Sequence, residues 1–194
     1  MYALFIASTH AASLGERFAS LPLAAETTGG SVSARGSEKI GASFADPQHV
    51  LDAALWGLRT PGSAVGLGAC PEATADAPDI ALSYARAAME RCTPHPGQGN
   101  ATFKNIAVDG PDPALADAAT GLARLIARLV GTRSEAEWRV VDLVVPGVRG
   151  QHGAIAEALG VSPQAVSKAL IRTGWHEQAE GVAALTELLR RQAS

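Results

Sequence analysis

The stretch GAIAEALGVSPQAVSKALIRTGW, residues Gly153 to Trp175, has the spacing of two short helices joined by a tight turn. Gly160 can end the first helix, because glycine adopts a positive φ without steric strain. Ser162 is a preferred N-cap, and Pro163 follows where a first-turn proline is tolerated. The sequence therefore predicts a helix, a turn of about three residues and a second helix.

The apolar residues of this stretch fall where two crossing helices would touch. A helix-turn-helix needs apolar side chains at the crossing, a small residue at the closest point and an apolar residue in the turn. The residues that meet these needs are Ile155, Ala156, Leu159, Val161, Val166, Ala169 and Leu170. Every position that the geometry constrains is suitably filled, which favours a helix-turn-helix.

Helices are also predicted on both sides of this unit. Pro113 to Val130 is helical in pattern, and Ser134 to Glu137 form a capping box that starts a helix to Val145. Trp138, Val141, Val144 and Val145 are expected on the inner face of that helix. A last helix from about His176 to Arg191 is expected to pack on this domain or to dimerise.

Small or polar side chains are left to face away from the predicted helix crossing. They are Ser162, Gln164, Ala165, Ser167, Lys168 and Arg172. Glutamine can pair with adenine, lysine with guanine or phosphate, and an alanine methyl group can meet that of thymine. Phosphate contacts are expected from Arg149, Gln151, His152 and the N-terminus of the second helix. These residues predict sequence-specific binding of double-stranded DNA.

Net charge does not by itself support this prediction. Residues 131–194 carry seven basic and seven acidic side chains, and the preceding residues carry nine and twelve. A strongly basic domain would have indicated nucleic-acid binding on its own. The prediction therefore depends on where a few charged side chains are placed, and a homodimer is expected because two half-sites add their binding free energies.

The chain ahead of the helical part alternates between strand-like and helix-like segments. Strands are predicted at Tyr2–Ser8, Ser63–Cys70 and Thr102–Val108, with a hairpin over Ser31–Phe44 that turns near Ser37 and Glu38. Helices are predicted at Ala11–Leu21, after the Asp46 cap, and from Asp79. This order predicts an α+β domain, residues 1–110, with a ferredoxin-like antiparallel sheet and helices on one face, followed by an all-α domain, residues 111–194.

Composition indicates a globular protein without a membrane segment. With 194 residues and 47% apolar content, the chain can bury a substantial core. No apolar run approaches the roughly 18 residues of a membrane span, and Tyr2–Ala7 lacks the features of a signal peptide. A cytoplasmic location is expected. Cys70 and Cys92 have no metal-ligand spacing and are expected to be buried or half-buried free thiols.

Several segments together resemble a known family. VSKALIRTGW with a following helix, YALFIASTHAAS at the front, GSEKIGASF in the hairpin and AVGLGAC in the next strand are similar to SatD-family proteins. That family pairs a nucleotidyl-cyclase-like domain with a C-terminal helix-turn-helix. The resemblance spans nearly the whole chain and implies a cyclase-like sheet domain ahead of a DNA-binding unit.

The chain departs from that family where the resemblance implies metal-binding carboxylates. The family has Gly-Asp at the end of the first strand and Gly-Asp-Glu in the hairpin, whereas this chain has Ala7-Ser8 and Gly36-Ser37-Glu38. Neutral hydroxyl groups bind Mg²⁺ poorly. No phosphate loop, dinucleotide fingerprint or nucleophile turn is present in the sequence. We therefore expect no catalytic residue, metal or cofactor.

These observations predict a DNA-binding transcriptional regulator with a non-catalytic N-terminal domain. That domain is expected to dimerise or to sense an unidentified small-molecule effector. The alternative is a protein that uses the helix-turn-helix for contacts with other proteins or senses a small ligand without binding DNA.

Overall fold

The computed structural model describes residues 1–8, 14–19, 27–32, 38–59, 62–73, 75–92 and 105–194. Strands and helices alternate as far as residue 109, and helices follow, which confirms the predicted α+β class. The elements are β1 (Tyr2–Ser8), α1 (Leu14–Ala19), β2 (Thr27–Val32), β3 (Glu38–Phe44), α2 (Pro47–Leu58), β4 (Ser63–Ala69), α3 (Ala77–Glu90), β5 (Ile106–Asp109), α4 (Pro113–Gly131), α5 (Glu135–Val141), α6 (His152–Leu159), α7 (Pro163–Arg172) and α8 (Trp175–Gln192). None of the helices described has the length and hydrophobicity needed to cross a membrane.

The described strands form one mixed sheet in the order β2-β3-β1-β4-β5. β1 is antiparallel to β3 and to β4, and β2 is antiparallel to β3. β4 and β5 are parallel, with Val65 opposite Ile106. The prediction of an entirely antiparallel sheet is therefore wrong at its last pair, because α3 carries the chain back across the sheet between these two strands.

Helices cover both faces of the sheet. Leu4 and Ile6 of β1 are buried in one large cluster with residues of α2, α4 and α8, which we call the sheet core. Ala3 alternates to the opposite face and packs against α3. Phe18 of α1 joins the sheet core and meets the Trp56 ring edge-on, with 5.8 Å between ring centroids. The prediction that all helices lie on one face is wrong, because α3 covers the other.

Two glycines in β4 allow α3 to lie very close to the sheet. A Cβ atom at Gly66 would lie 1.9 Å from the carbonyl oxygen of Ala85, and one at Gly68 would lie 2.1 Å from that of Ala81. Alanine side chains form the inner face of α3 where it meets these glycines. The glycines that weaken β4 as an isolated strand therefore permit its contact with α3.

The helices α4 and α8 pack on the sheet. Ile126 of α4 and Leu189 of α8 are buried in the sheet core. The amide of the buried Gln192 accepts from the backbone N of Asp112 at 3.0 Å and donates to its carbonyl oxygen at 2.6 Å. The predicted domain boundary between residues 110 and 111 stays a prediction. In the structure, α4 and α8, which follow that boundary, pack on the sheet that precedes it.

The helices α5, α6 and α7 share a second, smaller core. We call residues 135–172 the three-helix unit. Its buried apolar residues are Val140, Ile155, Ala156, Val166, Ala169 and Leu170. The predicted inner face of α5 is wrong in part, because Val140 is buried whereas the side chain of Val145 is 56% exposed. α5 ends at Val141, before Pro146 and Gly147 interrupt any regular helix.

The hairpin also differs from its predicted form. β2 begins at Thr27, and Val32 pairs with Glu38, so Glu38 is a strand residue and not a turn residue. Ser37 lies outside the described residues, as does the predicted strand start at 102–104. α3 begins two residues before Asp79, after Asp76.

Candidate nucleic-acid interface

The turn between α6 and α7 is held by local hydrogen bonds. Gly160 ends α6 with φ 66° and ψ 34°, and the backbone N of Val161 donates to the carbonyl oxygen of Ala156 at 2.9 Å. Ser162 begins α7, and its hydroxyl accepts from the backbone N of Ala165 at 3.2 Å. Each of these bonds joins residues no more than five apart, so the local sequence directs the chain from one helix into the other.

One face of α7 is buried in the three-helix unit. Val166 is fully buried, and Ala169 and Leu170 are nearly so. Ile155 and Ala156 of α6 belong to the same cluster, as predicted from their spacing. Val161 differs from the prediction, since 45% of it is exposed. The buried face fixes the rotation of α7 about its axis, which determines which side chains point outward.

The outward face of α7 carries the polar side chains predicted to meet DNA. Gln164, Ala165 and Lys168 are exposed, and Ser167 is half-buried. Gln164 and Lys168 are one helical turn apart and therefore project in the same direction. Ile171, one further turn along, is 72% exposed. This face thus combines an amide, an ammonium group and one large apolar side chain.

Arg172 lies on the flank of α7 and pairs with Glu137 of α5. Its Nε donates to Glu137 Oε1, and the other carboxylate oxygen of Glu137 accepts from the backbone N of Ser134 at 2.8 Å. The Arg172 bond and the two Ser134 bonds lower the pKa of Glu137 to about 2. Arg172 therefore joins α7 to α5, and a base contact would require it to leave this ion pair.

Gln151 organises the loop between α5 and α6. Its Oε1 accepts from the backbone N of Val145 at 2.8 Å, and its Nε2 donates to the carbonyl oxygens of Val145 and Val148, both at 3.0 Å. Both amide hydrogens are used, so Gln151 has none left for a phosphate. The predicted phosphate contacts Arg149 and His152 lie beside it and are exposed.

Arginine and tryptophan side chains attach the three-helix unit to the rest of the protein. Arg133, which is buried, donates from Nε and Nη2 to the carbonyl oxygen of Thr173, at 3.1 and 2.9 Å. Arg59, at the end of α2, forms two hydrogen bonds with the carboxylate of Asp142 at 2.8 and 3.0 Å. Both guanidinium groups lie over the Trp138 ring, that of Arg59 at 3.9 Å from its centroid.

Ser8 lies at the end of β1, where the family resemblance implies a metal-binding carboxylate. It is buried, and its neighbours across the sheet are Glu38 of β3 and Ser63 of β4. The Ser63 hydroxyl donates to the carbonyl oxygen of Gly57 at 2.6 Å. Among the described residues, no three histidine, cysteine or acidic side chains come together as a metal site.

Cys70 and Cys92 are buried free thiols, as predicted. Burial raises the pKa of Cys92 to about 11, and burial also raises that of Cys70. A reactive cysteine requires a thiolate near neutral pH. The two thiols therefore serve as packing groups.

Three residues of this region were not singled out by the sequence. Glu137 was visible only as the last member of a capping box, although it also binds Arg172. Arg133 carried no signal that it would be buried. Ile171 could have been found, because its spacing from Val166 and Leu170 places it on the outward side of the predicted helix.

Comparison of the chain with protein-family models, with curated proteins and with solved structures finds no match.

Proposed function

We propose that this protein binds double-stranded DNA in a sequence-specific manner through α7 and acts as a transcriptional regulator. The observation that carries the proposal is the division of α7 into two faces. One is held by α5 and α6, and the other exposes Gln164 and Lys168. A recognition helix of a helix-turn-helix needs this division, because its groove-facing side chains must be available to base edges.

The outward side chains suit both kinds of DNA contact. The Gln164 amide offers a donor and an acceptor to a base edge, and the Lys168 ammonium group can reach guanine or phosphate. Ser162 caps α7 through its hydroxyl oxygen. The N-terminus of α7, with the exposed Arg149 and His152, provides phosphate contacts that orient the helix. In this proposal Arg172 and Gln151 support the unit and do not contact DNA.

We also propose that the sheet region is a non-catalytic, cyclase-like domain related to that of the SatD family. The order β2-β3-β1-β4 with two crossovers is the order expected of a ferredoxin-like sheet, and this supports the resemblance. A serine at position 8 and a serine at position 37 argue against a metal-dependent reaction. The domain would form a homodimer or sense an unidentified small-molecule effector. A cytoplasmic location stays a prediction.

A selection followed by a titration tests DNA binding. Random duplexes enriched by the protein at low salt provide the probe, and affinity is then measured at increasing salt. We expect the logarithm of affinity to fall steeply with the logarithm of salt concentration, because bound phosphates release counterions. Failure to enrich any duplex at low salt would contradict the proposal.

The double substitution Gln164→Ala with Lys168→Ala tests the placement of α7. Each lost base contact should weaken binding of the selected duplex by about 1–3 kcal/mol. The Tm should hardly change, because both side chains are exposed. Glu157→Gln, an exposed change on α6, is the matched control and should keep full affinity. A large fall in Tm for the double variant would mean that these side chains are buried and that α7 is placed incorrectly.

A second candidate function, contact with another protein through the same helix, is favoured by Ile171. A large apolar side chain exposed on a polar face is the kind of anchor that protein interfaces bury. Ile171→Ser separates the two functions. Loss of self-association or of partner binding without any enrichment of duplexes would favour protein contacts, whereas reduced affinity for the selected duplex would place Ile171 in the DNA interface.

A further inference from the structure

A groove lies between the end of α2 and the outer face of α5. Its volume is about 710 Å³, and it is lined by Trp56, Arg59, Glu135, Trp138, Arg139 and Asp142. Cavities that hold small molecules typically have volumes of about 300–1,000 Å³. α2 belongs to the sheet region and α5 to the three-helix unit, so the groove is built by two parts of the fold that are distant in sequence.

Two indole rings line the groove. Trp56 comes from the last turn of α2 and Trp138 from the middle of α5, and both are half-buried. The Arg59 guanidinium lies 3.9 Å from the centroid of the Trp138 ring, and its ion pair with Asp142 holds it there. The Arg133 guanidinium also lies over this ring, at 4.9 Å from its centroid. Because these cations occupy the face of Trp138, a planar ligand gains its contacts from the Trp56 ring, the edge of Trp138 and the Arg59 guanidinium.

The groove is lined by two cationic and two anionic side chains, and one of each sign forms no ion pair with a described residue. Arg59 and Asp142 satisfy each other through two hydrogen bonds. Glu135 and Arg139, one helical turn apart on α5, are exposed and form no ion pair with any described residue. A multiply charged anion such as a nucleotide phosphate would meet two carboxylates here, and a polyamine would meet two guanidinium groups. The lining therefore favours a ligand that carries one positive and one negative group.

We propose that this groove binds a free aromatic amino acid, or a small molecule with the same arrangement of a planar ring, an ammonium group and a carboxylate. The ring packs against Trp56, the edge of Trp138 and the Arg59 guanidinium. The carboxylate binds Arg139, and the ammonium group binds Glu135. This binding does not require DNA, so it stands or falls independently of the function proposed for α7.

Three related probes test the assignment in the intact protein without DNA. L-phenylalanine carries both charges, 3-phenylpropionate lacks the ammonium group and 2-phenylethylamine lacks the carboxylate. Binding is followed through the indole N–H resonances in nitrogen-15 NMR spectra. Trp175 serves as an internal reference, because it packs with the core of the three-helix unit and does not line the groove. We expect L-phenylalanine to shift the Trp56 and Trp138 resonances in a saturable way in the millimolar range.

Substitutions of two exposed residues identify which side chain binds which charged group of the ligand. Arg139→Gln should weaken L-phenylalanine roughly fivefold and 3-phenylpropionate similarly, and it should leave 2-phenylethylamine unaffected. Glu135→Gln should weaken the binding of 2-phenylethylamine and leave that of 3-phenylpropionate unaffected. Arg149→Gln, in an exposed loop outside the groove, is the control and should change nothing. The proposal is overturned if L-phenylalanine gives no saturable shift, or if it binds both variants as tightly as it binds the unaltered protein.

Discussion

The sheet region and the three-helix unit are stabilised in different ways. The sheet core is large and includes side chains from the central strands and from α2, α4 and α8, and α3 lies directly against the glycines of β4. The three-helix unit has only six buried apolar residues, and polar contacts such as Arg172 to Glu137 and Gln151 to Val145 supplement them. The smaller region therefore supplements its core with polar contacts, one between α5 and α7 and one within the loop that joins α5 to α6.

The two regions therefore differ in which helix faces remain exposed to solvent. α3 uses its inner face against the sheet, and α2, α4 and α8 use theirs in the sheet core. α7 buries three of its ten residues, and Gln164 and Lys168 remain exposed. A helix held by a small core on one side retains a face for a partner, which is the property that the proposed function requires.

The largest expected effect concerns the contact between α3 and β4. Gly66→Ala should lower the free energy of unfolding by about 3 kcal/mol or more, because the new Cβ would overlap backbone atoms that cannot rotate away. Urea unfolding measures the change. Gly121→Ala on α4, where a Cβ would meet nothing, is the matched control and should stabilise by about 0.5–1 kcal/mol. A neutral result at Gly66 would show that α3 lies farther from the sheet.

A smaller and more local effect is expected within the three-helix unit. Leu170→Ala should cost about 2–3 kcal/mol, at the lower end for a buried leucine, because a small core can partly close the cavity. Amide hydrogen exchange should become faster in α5, α6 and α7, while β1 and β4 remain protected. Leu189→Ala, buried in the sheet core, should instead reduce protection across the sheet. Equal loss of protection in both regions after Leu170→Ala would mean that they unfold as one cooperative unit.

The smallest effect concerns the ion pair between α5 and α7. The folded-state pKa of Glu137 is about 2 and its ordinary value is 4.5, so its stabilisation is present above pH 4.5 and is lost as the pH falls towards 2. Glu137→Gln should cost about 1 kcal/mol at neutral pH, because solvent screens the largely exposed Arg172. Glutamine can keep the capping box through its one amide oxygen, so the substitution removes the charge and the hydrogen bond from Arg172.

Stability measured against pH tests this prediction. The difference between the unaltered protein and Glu137→Gln should shrink as the pH falls from 4.5 to 2. Glu180→Gln, an exposed change on α8, provides the control and should leave the curve in place. A difference that stays constant over this range would show that the Glu137 carboxylate does not contribute through its charge.

The features predicted correctly from the sequence are those set by near neighbours. The caps at Asp46, Ser134 and Ser162 all hold their helices as expected. The buried positions of α6 and α7 follow from helical spacing, because the side chains three and four residues apart share a face. Of the candidate interface, Gln164 and Lys168 are exposed as predicted.

The features that the sequence missed or predicted incorrectly depend on tertiary contacts. The parallel pairing of β5 depends on how α3 returns across the sheet, which short-range spacing does not reveal. Arg172 is exposed as predicted, but its ion pair with Glu137, 35 residues away, could not be predicted from spacing. The phosphate contact of Gln151 stays a prediction, and the hydrogen bonds of its amide to Val145 were not foreseen.

The residue pattern alone is enough to predict where the helices of the C-terminal part begin and which residues of α7 are buried. These outcomes depend on hydrogen bonds and apolar spacing within about one or two helical turns. Long-range packing instead places α4 and α8 in the sheet core, brings α3 against Gly66 and Gly68, and lines one groove with Trp56 and Trp138. The physical reason is that such contacts depend on distances between segments far apart in the chain, which the packing of the whole fold sets.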